Sequence, residues 1–158
     1  MADVADGPSV RLTIPAKPEY ITLVRLALSG LSRLRPLSEE VLGDLKLAVT
    51  EACSNSVRHA YGEDGSGLVS VRYELAADSL AVEITDAGRG FRFDRPVSEL
   101  APQSDEDLRE DTMGLAIIDA LVDELDIGAG VDGRGTRISF VKYLGGPDGS
   151  ASTESVPG

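Results

Sequence analysis

Leu45-Lys46-Leu47-Ala48-Val49-Thr50-Glu51-Ala52-Cys53-Ser54-Asn55, running on to His59-Ala60-Tyr61, is the stretch that decides the fold. Leu45, Val49, Ala52, Cys53, Val57 and Ala60 recur at three- and four-residue spacing and share one side of a helix. Ser38 reads as the N-cap, with Glu39 and Glu40 in the first turn, so the pattern predicts a helix over 39–60. Glu51, Asn55 and His59 stand four residues apart and form a second, polar stripe. At about 100° per residue that stripe falls well away from the apolar centre. A carboxylate and a carboxamide one turn apart have a chemical use. Asn offers a neutral oxygen to a hard cation such as Mg²⁺, and Glu accepts a proton from a nearby hydroxyl or water. Residues of these types ordinarily make a solvated helix face, so the pair needs support from elsewhere in the chain.

Outward from this helix the pattern changes period. Val10, Leu12 and Ile14 alternate with Arg11 and Thr13 as in a strand, which Pro15 and Pro18 close. Ile21, Val24, Ala27 and Leu31 predict an amphipathic helix over 19–34. Strands are expected over 68–75 and 80–85, joined by a hairpin-sized turn at 76–79. The segment 86–111 reads as irregular, 113–125 as helical, and 125–129 and 136–143 as two last strands. Residues 1–8 read as a flexible start, 9–144 as one domain and 145–158 as a disordered Gly/Ser/Pro tail. Strands arrive in adjacent pairs rather than alternating with helices. The expected fold is therefore α+β: a two-layer sandwich with a mixed, mostly antiparallel sheet and helices on one face.

The 158 residues, 42% of them hydrophobic, suffice for one compact core. Aromatics are only 4% of the chain and Trp is absent, so the core rests on aliphatic side chains. A net charge of -12 argues against direct nucleic-acid binding. It does not forbid a phosphate-bearing ligand held by backbone N–H groups and a metal ion. Cys53 has no second cysteine to pair with, and its place in the apolar stripe predicts a buried thiol. No segment approaches the ~20 apolar residues of a membrane span, so the expected location is the cytoplasm.

Three glycine segments complete the pattern. Asp86-Ala87-Gly88-Arg89-Gly90-Phe91 follows an apolar strand, placing a carboxylate at a strand's carboxyl end with two permissive backbone positions after it. Met113-Gly114-Leu115 stands at the expected helix start, where free N–H groups suit a triphosphate. Gly133-Arg134-Gly135-Thr136 enters the last strand and presents a hydroxyl. Each alone reads as a turn or a helix end. No Walker A loop, lysine-bearing kinase glycine loop or Gly-x-Ser-x-Gly elbow is present.

Taken together, these segments resemble the GHKL, or histidine-kinase-like, ATPase superfamily with its Bergerat fold. Glu51 to Asn55 with His59 is similar to the N box, Asp86 to Gly90 to the G1 box, Met113 to Leu115 to the G2 box, and Gly135-Thr136 to the final Gly-Thr element. The helix over 45–61 and the compact length most resemble the anti-sigma factor serine/threonine kinases. The resemblance implies ATP and Mg²⁺ as cofactors. Asn55 would ligate Mg²⁺, Glu51 would be the base for a substrate hydroxyl, and Asp86 would bind the adenine amino group. Gly88 and Gly90 would admit the nucleotide, 91–112 would form a lid, and Met113, Gly114 and Leu115 would meet the phosphates. Thr136 would support the adenine end, and His59 would close the N box.

The resemblance also implies partners: a sigma factor held by the protein, an anti-anti-sigma factor phosphorylated on Ser or Thr, and a second copy in a homodimer. One departure stands out. Asp111-Thr112 precedes Met113-Gly114 where relatives often carry small residues, placing a stiff side chain and a negative charge beside the expected phosphates. This motivates a second expectation, a non-catalytic partner-switching module that binds ATP. A histidine-kinase catalytic domain is a third, needing a phospho-acceptor histidine from a partner because His59 is the single histidine.

Overall fold

The computed structural model describes residues 7–60, 67–86, 105–130 and 135–145. Strand β1 (Ser9–Pro15) opens the chain, followed by a 3₁₀ turn (Pro18–Tyr20), α1 (Ile21–Leu34) and α2 (Glu39–Ala60). Then come β2 (Leu68–Leu75), β3 (Ser79–Asp86), α3 (Asp105–Leu121), β4 (Glu124–Ala129) and β5 (Thr136–Tyr143). The five strands pair in the order β1-β2-β3-β5-β4. Every neighbouring pair is antiparallel, so the sheet is antiparallel throughout.

Period-two patterning sorts the sheet into two faces. Val69, Val71, Tyr73 and Leu75 on β2, Leu80, Val82 and Ile84 on β3, and Ile138 and Phe140 on β5 are buried against the helices. Between them Ser70, Arg72, Glu83, Thr85, Arg137 and Ser139 face the other way. That outer face carries ion pairs, Arg72 to Glu83 at 2.7 Å and Arg137 to Asp126 at 2.9 Å, and the helices cover only its opposite.

The long helix forms as its sequence predicts. Ser38 Oγ accepts the Val41 N–H at 3.1 Å, satisfying a first-turn donor. Leu45, Ala48, Val49, Ala52 and Cys53 are fully buried along its centre. The Tyr73 hydroxyl donates to the Val24 carbonyl at 2.8 Å, tying the sheet to α1. Lys142 on β5 donates to the Leu121 carbonyl at 2.7 Å and lies 3.5 Å from Asp44. One ammonium thus meets the last turn of α3 and an early turn of α2.

Three expectations shift. The first helix begins at Ile21 rather than 19, because Pro18 starts a 3₁₀ turn that precedes it. The second strand of the hairpin runs Ser79–Asp86 rather than 80–85, so Asp86, expected at the strand's carboxyl end, is itself its last paired residue, opposite Val69 and Thr136. The third helix runs Asp105–Leu121 and not 113–125. Glycine at 114 suggested a helix start, but α3 continues through it for two further turns on the amino side. The expected flexible start and disordered tail lie mostly outside the described residues, as do Gly133 and Arg134 before the last strand. Among the described residues, no helix is long and apolar enough to cross a membrane.

Two buried acids make stability pH-dependent. Burial pushes the Cys53 thiol up from 9.0 to about 12, with Arg25 opposing. Burial, with the nearby Cys53, pushes the Tyr73 phenol well above its usual 10.0. Both fold as neutral groups, so the stability they confer is complete below pH 9 and is lost as pH rises through 9 to 12. Urea unfolding midpoints should fall from pH 8.5 to 11, and Cys53→Ala should flatten that decline while lowering the midpoint at pH 7.

Candidate functional site

Among the described residues the buried polar side chains are Asn55, Ser56, Asp86 and Thr136, at 2%, 1%, 6% and 2% exposure. Three of the four are residues that the sequence marks for a ligand. Cross-strand register brings two of these together, because Asp86 at the end of β3 faces Thr136 at the start of β5. Gly135, just before, has φ 68°, a left-handed backbone that glycine adopts without strain and that turns the chain into β5. The chain leaves α2 at Ala60 and re-enters the sheet at Leu68, and Val69 pairs with Asp86. The last turns of α2 therefore stand over the same sheet end as Asp86 and Thr136.

Asn55 departs from expectation in one respect. Spacing along the helix sets it on a stripe clear of the apolar centre, yet it is buried at the edge of the packed arc of α2. Both its Nδ2 and its Oδ1 make no hydrogen bond among the described residues. A buried amide left so costs about 1–3 kcal/mol per group, and native chains retain few such groups without a use. Asp86 Oδ2 is likewise buried without a hydrogen bond, although the residue is engaged through other contacts.

Glu51 stands one turn before Asn55 and is half-buried. Gly114 of α3 packs against it. A Cβ on Gly114 would sit 3.0 Å from Glu51 Oε1, so hydrogen in place of a side chain lets α3 approach the carboxylate. Leu115 packs on the core, while Met113 is exposed. The free N–H groups expected around 113–115 are absent here, since these residues lie within a continuous helix whose N–H groups bond along its own axis. Arg25 of α1 donates to Thr50 Oγ1 at 3.2 Å, beside Glu51. His59 is half-buried in the last turn of α2 and engaged with neighbours. Gly88, Gly90 and the lid segment 91–104 lie outside the described residues, while 105–112 belong to α3.

The structure thus brings Glu51, Asn55 and Gly114 together through α2 and α3, and Asp86 and Thr136 through the sheet. Ser56 is the buried polar residue that the sequence pattern did not single out. Its signal was available: a serine four residues after Ala52, in the middle of the apolar arc.

This arrangement is that of a nucleotide-binding α+β sandwich. The profile of the Histidine kinase-like ATPase domain matches residues 14–142. The chain is 37% identical over 141 residues to the serine-protein kinase RsbW of Bacillus velezensis, covering 87% of this chain and 86% of that one. It is 36% identical over 141 residues to RsbW of Bacillus subtilis, with the same coverage. The solved RsbU and RsbW domains of Rv1364c from Mycobacterium tuberculosis superpose with TM-score 0.62 at 24% identity, over 87% of this chain and 33% of that longer one. The chain belongs to the histidine-kinase-like ATPase family and, within it, to the RsbW serine-protein kinases, as the N-box resemblance implied.

Gly114→Ala tests the contact between α3 and Glu51. The glycine lies in a helix interior without positive φ, so alanine should gain up to about 1 kcal/mol in urea unfolding. The added methyl should push the Glu51 carboxylate aside by a few tenths of an ångström. ATP turnover should fall while stability rises, and unchanged turnover would count against Glu51 acting from this position.

Proposed function

We propose that the chain is an ATP-dependent serine/threonine protein kinase that holds a sigma factor and phosphorylates an anti-anti-sigma factor. The observation that carries this reading is the buried, unpartnered amide of Asn55 one turn from Glu51, in a chain of the RsbW family. ATP binding follows from the family.

Asn55 Oδ1 fits Mg²⁺ as a neutral, buried oxygen without a hydrogen bond. Among the described residues no cluster of three or more His, Cys, Asp or Glu side chains could hold a metal alone. The ion would neutralise charge on the triphosphate. The chain's own residues do the rest. Asp86 and Thr136 hold the base end, and Asn55 fixes the phosphate end. The Glu51 carboxylate takes the proton of the attacking serine hydroxyl. The same reading places the protein in the cytoplasm as a homodimer, the latter checked by sedimentation.

A second reading, regulation by sequestration without phosphoryl transfer, is favoured by α3 running unbroken through Gly114. Its backbone donors are then engaged within the helix rather than offered to phosphates.

Transfer of label from γ-labelled ATP to a cognate anti-anti-sigma protein separates the two. Wild type should transfer label, and Glu51→Ala should lose about 10²-fold or more in rate with ATP affinity kept. ATP binding without transfer by wild type would leave only the sequestration reading. Asn55→Ala should abolish the ATP·Mg²⁺-induced rise in melting temperature. In wild type that rise corresponds to about 2.7 kcal/mol at a hundred times Kd. The free variant should be no less stable than wild type, because an unsatisfied amide has been removed.

A further inference from the structure

Ser56 is 1% exposed, and its Oγ makes no hydrogen bond among the described residues. It follows Leu45, Val49 and Ala52 by eleven, seven and four residues. At about 100° per residue it therefore stands within roughly 40° of each, and all three are fully buried. A hydroxyl in such a place ordinarily bonds the carbonyl four residues back. Thr50 does so on this same helix, its Oγ1 donating to the Lys46 carbonyl at 2.7 Å. Ser56 does not, so both its donor and its acceptor capacity stay open inside the core. Burying an unmade hydroxyl costs free energy that alanine would avoid.

Its surroundings say what it is kept for. Ser56 lies one turn before the end of α2, on the side that packs against the sheet. Asp86 and Thr136 close the sheet at that end. These three and Asn55 make up the buried polar side chains among the described residues. The other three belong to the nucleotide reading, and Ser56 is the one not assigned to it.

The geometry points to Ser56 as a further adenine-binding residue, its hydroxyl donating to N1 of the base. This rests on the ATP reading given above. Adenine's edge pairs a donor, the N6 amine, with an adjacent acceptor, N1. Asp86 supplies an acceptor to the first, and Ser56 supplies a donor to the second. Guanine reverses both, presenting O6 and an N1–H, so the pair reads adenine against guanine rather than merely adding affinity.

Binding of ATP·Mg²⁺ and of 1-deaza-ATP·Mg²⁺, in which a C–H replaces N1, tests this in wild type and Ser56→Ala by calorimetry. Wild type should bind the deaza analogue on the order of fivefold more weakly than ATP, the worth of one hydrogen bond. Ser56→Ala should lose a similar factor on ATP and bind the two ligands alike. The free variant should melt at or above wild type. Wild-type ATP affinity in Ser56→Ala would overturn the assignment. So would a loss on ATP matched by an equal loss on the analogue, which would mark Ser56 as packing alone. If wild type binds no adenine nucleotide, the ATP reading itself falls, and this inference with it.

Discussion

Helix α2 has to bury a carboxamide that the protein itself leaves unsatisfied, and most of the site's geometry answers to that constraint. Asn55 reaches the end of the sheet only because the residues around it, Leu45, Ala48, Val49, Ala52 and Cys53, pack with no exposure. That aliphatic burial, at roughly 25 cal/mol per Å², outweighs the local cost of the bare amide. The Ser38 cap and the Tyr73 to Val24 bond hold the helix layer in register over the strands. The site is thus placed by the rigid core and not by the loops around it.

From this follows a division of labour between layers. The sheet supplies Asp86 and Thr136 as cross-strand neighbours, fixed by ladder register and by the left-handed backbone at Gly135. The helices supply Glu51, Asn55 and the close approach of Gly114. On the proposed reading, base recognition would belong to one layer plus Ser56, and phosphate chemistry to the seam between α2 and α3. A substitution in one layer should therefore disturb one half of the reaction more than the other.

Much of this was legible in residue spacing. The bounds of α2 and β2, the cap at Ser38, the buried Cys53 and the pairing of strands followed from period and turn chemistry. The start of α3 did not. Residues 105–112 contain Gly neither as a break nor Pro as a stop, and Gly114 reads equally as a helix start or as a small interior residue at a helix contact. Only its neighbour Glu51, 63 positions away in sequence, decides between them, and spacing along one helix carries no such knowledge. The burial of Asn55 and Ser56 was hidden for a related reason. Polar residues are ordinarily placed outside by any pattern rule, and a functional site is where that rule is broken.

The Lys142 ammonium sits where α3 ends and α2 begins, touching the Leu121 carbonyl and facing Asp44. Seven residues further along α2 and seven back along α3, Glu51 meets Gly114. The two helices therefore run antiparallel, stapled at one extremity. One ammonium thus sets the spacing of the two helices about two turns from the point where Gly114 admits the carboxylate, so the position of Glu51 depends on a residue of β5 as well as on α2 and α3.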